Sequence, residues 1–342
     1  MKRIITLILI LTCLTGCNSQ SIFSNKANET KQTEFFLNTV SYITIYNMEE
    51  KSATEIINNC FAYCRQYEQL LSKTIESSEI SEINRSKGNW VTVSQDTINL
   101  ISLANMYSEL SDGKFDCTIA PVTALWDFNS EAHVVPNSSD IAEAVTHVDY
   151  KAIEIDVNKI RLTDENAAID LGGIAKGYIG DKAKEYLLEN GVEKAIISLG
   201  GNILTISPEN DTPFRIGVQR PFDDQGTSYG ILEIQNMSVV TSGTYERSFE
   251  KDGILYHHIL DTKTGMPVDN GLYSVTIITK DSAVADALST TCFVLGVDEG
   301  MKIIEETPDT EAIFITTDYK ARCSSGINKT INFEITDAKK GE

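Results

Sequence analysis

Asp170-Leu171-Gly172-Gly173-Ile174-Ala175-Lys176-Gly177 is the stretch on which the reading of this chain turns. The apolar run Ala167-Ala168-Ile169 leads into it, and a helical pattern over residues 178–188 follows, with Gly191 placed to cap its end. The pattern sets an acid, two glycines and a lysine where a strand turns into a helix. Such a junction exposes backbone N–H groups at the positive end of a helix and favours anions. It suits a phosphorylated ligand, with Asp170 and Lys176 beside it to orient it. A Gly-Gly pair between a strand and a helix also serves as a plain tight turn, so the weight falls on the partners that the rest of the chain supplies.

Outward from this junction the elements mix. Upstream, residues 35–46 alternate as a strand, 53–71 and 96–111 are helical, and 78–84 form a short helix. Residues 119–126 read as an apolar helical segment, and 148–156 with 159–162 as a hairpin. Downstream, strands are expected at 194–198, 214–218, 230–234, 238–241, 256–260, 273–279, 311–316 and 330–335. A helix capped by Asp281 or Ser282 runs to Leu295, with Gly296 just past its end. Helices interspersed with hairpins point to an α+β fold and away from a doubly wound parallel sheet.

The N-terminus reads as a targeting segment. Lys2 and Arg3 precede a mostly apolar run, 4–14, that falls short of the roughly 20 residues needed to span a bilayer. Leu14-Thr15-Gly16-Cys17 resembles a bacterial lipobox, whose cysteine is lipid-modified and becomes the first mature residue. The expected organisation is therefore a signal peptide at 1–16, a lipidated, polar, flexible tether at 17–34, and one folded domain at 35–338. This places the domain on the outward face of the bacterial cytoplasmic membrane, attached through Cys17; a plain secretory signal is the other reading. The formal net charge is −20, and losing Lys2 and Arg3 makes it more negative still. Such acidity excludes nucleic acid as a natural partner and requires local help for any anionic ligand. Of seven cysteines, Cys60, Cys64, Cys117, Cys292 and Cys323 remain in the domain. Their spacing lacks the paired CxxC or Cys/His pattern of zinc, so they read chiefly as small buried hydrophobes.

Three further segments carry chemistry. Thr241-Ser242-Gly243-Thr244-Tyr245 is a hydroxyl-rich turn at a strand end. His257-His258-Ile259-Leu260-Asp261-Thr262-Lys263-Thr264-Gly265-Met266-Pro267 holds two of the four histidines. In a strand they face opposite ways, so at most one faces a site, where it can act as a general base; the alternative is a histidine bonded to its own turn. In Ala285-Asp286-Ala287-Leu288-Ser289-Thr290-Thr291, Asp286 and Thr290 share a helix face with Ser289 beside them. A carboxylate and a hydroxyl so placed suit a hard cation such as Mg²⁺, which completes its shell with water and phosphate oxygens. An acid favoured by the helix dipole and a core-facing threonine give the same pattern.

Taken in order, D-L-G-G-I-A-K-G, L-G-G-N, T-S-G-x-Y, H-I-L-D-x-x-T-G-x-P and A-D-A-x-S-T resemble the ApbE family, Mg²⁺-dependent FAD:protein FMN transferases that are often lipoproteins. Asp112-Gly113-Lys114-Phe115-Asp116, Leu125-Trp126-Asp127-Phe128 and Leu37-Asn38-Thr39 resemble that family's D-G-x-F-D, L-W-G-F and M-G-T segments. The resemblance implies a T-fold-like α+β architecture, with mixed and antiparallel sheets, packed helices and a FAD cleft. It implies FAD contacts at Leu37, Thr74, Trp126, Asp127, Phe128, Asp170, Lys176 and Leu260. It implies Mg²⁺ held by the Gly173 carbonyl, Asp286 and Thr290, with Ser289 close by, and His258 as the base. Thr74 stands where the family often has Tyr, Asp127 and Asn38 where it has Gly, and Thr262 where it has Pro.

The implied reaction moves FMN from FAD to a Thr or Ser hydroxyl of an exported or membrane-associated acceptor protein and releases AMP. Two alternatives stand beside it. One is an Mg²⁺-dependent FAD pyrophosphatase, in which water replaces the hydroxyl. The other is a lipoprotein that only holds flavin.

Overall fold

The computed structural model describes residues 28–128 and 133–336. The signal segment 1–16 and Cys17 lie outside the described residues. The strands β1 (Glu29–Phe36) and β2 (Thr39–Tyr46) are followed by α1 (Glu50–Leu71), α2 (Glu79–Arg85), β3 (Val91–Thr92), α3 (Gln95–Leu110), α4 (Ala120–Thr123) and α5 (Ser138–Val145). Then come β4 (Ile153–Asp156), β5 (Lys159–Leu162), α6 (Ala175–Glu189), β6 (Ala195–Leu199), β7 (Asn202–Ile206), β8 (Phe214–Gln219), β9 (Ser228–Ile234) and β10 (Ser238–Gly243). The chain closes with β11 (Ser248–Lys251), β12 (Ile254–His257), β13 (Leu272–Thr279), α7 (Ser282–Leu295), α8 (Val297–Glu306), β14 (Glu311–Thr316), β15 (Ala321–Cys323) and β16 (Asn332–Ile335).

An eight-stranded sheet of order β1-β2-β6-β7-β10-β13-β14-β15 organises the molecule, and each neighbouring pair in it is antiparallel. Side chains alternate across it with the two-residue period of a strand. Val240, Val275, Ile277, Ala312 and Phe314 enter the main core under the helices. Their neighbours Val239, Ile278, Ile313 and Ile315 enter a second core, under the small sheet β16-β9-β8. Covered on both faces, β13 is buried almost throughout. Helix α1 shows why the helices lie where they do. Glu49 accepts hydrogen bonds from the N–H groups of Lys51 and Ser52, and Ala53, Ile57, Cys60, Phe61, Cys64, Tyr67 and Leu71 form one buried stripe. A third, smaller core gathers Val122, Trp126, Ile141, Ala144, Phe249 and Leu260.

The mixed, antiparallel α+β architecture is as expected, with differences of detail. Residues 35–46 are not one strand but the turn of a hairpin. Phe36 pairs with Thr39, and Leu37 and Asn38 both take positive φ, 54° and 55°, as a two-residue type I′ turn requires. The hairpin's first strand begins at Glu29, inside the stretch read as tether, because its backbone pairs with β2 along its whole length. Composition could not show that pairing. The expected helix 119–126 shrinks to Ala120–Thr123. No strand precedes Asp170, where Ala168 makes one isolated bridge to Ile119. The strand expected at 256–260 ends at His257. All five domain thiols are free; Cys60, Cys64, Cys117 and Cys292 are buried and Cys323 is exposed.

Candidate functional site

The site is built where α6 crosses α7. Gly177 on α6 lets the two backbones approach, and Gly180, three residues on, makes room for β7. A side-chain carbon on Gly177 would lie 2.2 Å from the Ser282 carbonyl oxygen, and one on Gly180 would lie 2.8 Å from Leu204. The helices cap each other. Asp181 on α6 accepts from the N–H groups of Ser282 and Ala283 at the start of α7, both at 2.8 Å. Asp286 on α7 accepts through Oδ2 from Gly177 N–H at 2.8 Å, near the start of α6. Neither helix has a side-chain cap of its own, so each carboxylate meets orphan donors at a positive helix end. Burial pushes the Asp181 carboxyl up to about 6, against the two N–H bonds that pull it down.

Beside this crossing lies a cluster of hydroxyls. Ser242 Oγ at the end of β10 is 2.7 Å from Ser289 Oγ and 3.1 Å from Thr290 Oγ1. The Gly172–Gly173 turn closes over it. A side-chain carbon on Gly173 would sit 3.5 Å from Thr290 Oγ1 and 3.2 Å from the Phe115 ring, so glycine leaves a cradle that any other residue fills. Gly173, Asp286, Ser289 and Thr290 are thus brought together from segments far apart in sequence. Among the described residues no three His, Cys, Asp or Glu side chains cluster around a metal position. The donors here are one carboxylate, hydroxyls and main chain, the hard oxygen set that suits Mg²⁺.

Charges line the approach. Asp170 is held on three sides: Oδ2 accepts from Lys73 Nζ at 2.6 Å and Thr123 Oγ1 at 3.0 Å, and Oδ1 from Gly172 N–H at 2.9 Å. Burial pushes its carboxyl up, but the Lys73 ammonium and these hydrogen bonds outweigh that and hold it below its ordinary value. Lys176 Nζ donates to Asn202 Oδ1 at 3.2 Å. Asn202 follows the Gly200–Gly201 turn of the β6–β7 hairpin.

The two histidines divide as expected. His257 points inward: Nδ1 accepts from Ile259 N–H, so Nε2–H donates to the Val268 carbonyl at 3.0 Å. His258, just past the strand end, has a buried Nδ1 with no hydrogen-bond partner. Burial pushes its imidazole down to about 3, with the charges of Arg247, His257 and Lys176 adding to the effect. His258 is therefore neutral at physiological pH.

The expected flavin contacts fall into separate groups. Trp126 and Phe128 stack at 5.4 Å and join Leu260 in the third core. Trp126 is 5% exposed, and its Nε1–H donates to the Gly265 carbonyl at 3.0 Å. That bond ties the Leu125–Phe128 segment to the loop after His258. Asp127 between them is exposed. Thr74 is also exposed, bonded to Ser72 at 3.0 Å. Leu37 sits on the hairpin turn, its N–H donating to Glu68 Oε1 at 2.8 Å. Lys73, Thr123 and Arg247 escaped sequence reasoning. Lys73 adjoins Thr74, but no local pattern shows that it meets a carboxylate 97 positions away.

These features define an α+β protein in which the N-termini of two helices meet beside a floor of hydroxyls. The ApbE family model matches residues 37–314, and the chain belongs to the ApbE family. The FAD:protein FMN transferase of Klebsiella pneumoniae is 38% identical over 277 residues, covering 80% of this chain and 85% of the relative. That of Treponema pallidum is 29% identical over 345 residues, covering 95% and 94%. Among solved structures, the ApbE protein of Thermotoga maritima matches with a TM-score of 0.79 and 33% identity, over 87% of this chain and 97% of that one. The flavin transferase ApbE of Vibrio cholerae matches with a TM-score of 0.77 and 26% identity, over 88% and 99%.

Proposed function

We propose that this chain is a FAD:protein FMN transferase that uses Mg²⁺, joins FMN to a Thr or Ser hydroxyl of an acceptor protein and releases AMP. The observation that carries this reading is the convergence of Gly173, Asp286, Ser289 and Thr290 at the α6 N-terminus. The α6 N-terminus and Lys176 attract the pyrophosphate of FAD. Asp286, Thr290 and the Gly173 carbonyl would hold Mg²⁺, which would neutralise the pyrophosphate and supply the positive charge that a chain of net charge −20 lacks. The acceptor oxygen attacks the phosphorus of the FMN half, the bond from that phosphorus to the bridging oxygen breaks, and AMP leaves. His258 takes the acceptor's proton. Bound anionic ligand offsets the charges of Lys176 and Arg247 and raises the proton affinity of that imidazole.

Lipidated Cys17 holds the domain at the outward face of the membrane, so the acceptor is an exported or membrane-associated protein. Radiolabelled palmitate is incorporated by the wild type and not by Cys17→Ala; equal labelling of both rejects the anchor.

The test incubates purified protein with FAD, Mg²⁺ and an acceptor of the family. Covalent flavin on the acceptor, with AMP in equal amount, is the expected result. AMP and FMN formed without acceptor indicate the pyrophosphatase, and bound FAD without turnover indicates a carrier. His258→Ala retains FAD binding and loses transfer by about 10²–10⁴-fold.

A further inference from the structure

Ser242 is assigned no role by the reaction, yet its hydroxyl lies between those of Ser289 and Thr290. The direction of the three hydrogen bonds is fixed from one end. Ser289 Oγ–H donates to the Asp286 main-chain oxygen at 2.9 Å, and a carbonyl only accepts. Each hydroxyl has one proton. Ser289 has spent its own, so at 2.7 Å it accepts from Ser242. Ser242 has then spent its proton, so at 3.1 Å it accepts from Thr290. The chain runs Thr290 to Ser242 to Ser289 to the Asp286 carbonyl, and it draws the Thr290 proton toward the β10 side.

We infer that Ser242 is a positioning residue: by accepting the Thr290 proton, it turns the lone pairs of Thr290 Oγ1 toward the cation position beside Gly173. This rests on the reading that Thr290 is a ligand of the divalent cation. Without Ser242 the Thr290 hydroxyl turns to the acceptor that a helix offers, the carbonyl one turn back at Asp286, and its oxygen is no longer presented. Partners that orient a metal ligand are typically worth 10–100-fold in metal affinity.

The test titrates purified protein with Mn²⁺ in place of Mg²⁺ and follows the free-ion signal by electron paramagnetic resonance. Thermal unfolding without metal accompanies it. Ser242→Ala is expected to raise the Mn²⁺ Kd by about 10–100-fold with an unchanged metal-free unfolding midpoint. Ser242→Thr, which keeps the hydroxyl, restores binding to within a few-fold of the wild type. Wild-type affinity in Ser242→Ala, with Thr290→Ala weakened, overturns the positioning role and leaves the cation reading standing. Equal loss in Ser242→Ala and Ser242→Thr also overturns it, because the hydroxyl is then not what matters. Wild-type affinity in Thr290→Ala, or no Mn²⁺ binding by the wild type, removes the cation reading itself and this inference with it.

Discussion

His257 and His258 are adjacent and chemically identical, and their surroundings assign them opposite duties. His257 spends one nitrogen on the Ile259 N–H and the other on the Val268 carbonyl, whereas His258 keeps Nδ1 free. The depressed imidazole of His258 has a consequence for stability. Unfolded, it binds a proton near pH 6.5; folded, it refuses one down to about pH 3. The unfolded chain therefore binds more protons in this window, so stability is full above 6.5 and falls as pH drops toward 3. This contributes a slope of up to ~1.4 kcal/mol per pH unit. Urea denaturation at several pH values between 6.5 and 4.5 is expected to show that extra slope in the wild type and not in His258→Gln. The sequence reading separated the two histidines by strand alternation, but the strand ends at His257 and the bend after it takes His258 out of that pattern. Which of them stayed unpartnered depended on the distant Val268 carbonyl and could not be read. Gly177 offers a second test at this scale. Its missing side chain would meet the Ser282 carbonyl, so Gly177→Ala is expected to lower stability by roughly 1–3 kcal/mol, measured as a shift in the denaturation midpoint at unchanged slope.

Helices α6 and α7 depend on each other through their carboxylates. Asp181→Ala leaves the Ser282 and Ala283 N–H groups without their partner and is expected to cost about 0.5–2 kcal/mol, visible in thermal or denaturant unfolding. Trp126→Phe keeps the stacking with Phe128 but leaves the buried Gly265 carbonyl without its donor. It is expected to cost about 1–3 kcal/mol and to increase backbone hydrogen exchange over residues 259–268 relative to the central sheet. The extents of α1, α3 and α7 were legible to within a few residues because each carries a continuous periodic run. The β1–β2 hairpin was not. Its turn is Leu37-Asn38 rather than Asn-Gly, and alternation on either side runs on without a visible break. Likewise, nothing local in the sequence showed that the Trp126 indole N–H is committed to a loop 139 positions away.

At the scale of the molecule, the net charge of −20 and the proposed site for an anionic ligand are compatible because positive groups are concentrated at one place. The N-termini of α6 and α7, Lys73, Lys176 and Arg247 all lie around it. Ligand and cation are expected to stabilise each other there. FAD and Mg²⁺ together raise the thermal midpoint by more than the sum of their separate effects, as read by differential scanning calorimetry with both in excess; strictly additive shifts argue against a shared site. The α+β class and the order of the motifs were readable because they are local. The placement of those motifs about one crossing was not, since it is set by sheet order and by the close approach at Gly177.

The two reciprocal carboxylate contacts also set a schedule. They join positions 101 and 109 residues apart. Helix α6 leaves the ribosome long before α7 exists, and until α7 arrives its N-terminus lacks the Asp286 carboxylate and the Ser289 and Thr290 hydroxyls. Contacts of such long range form late, because the intervening loop must first be closed. Ligand binding should therefore return only at the end of refolding, after most of the helical signal has recovered, and a chain cut short of residue 282 keeps Asp170 and Lys176 but lacks Asp286, Ser289 and Thr290.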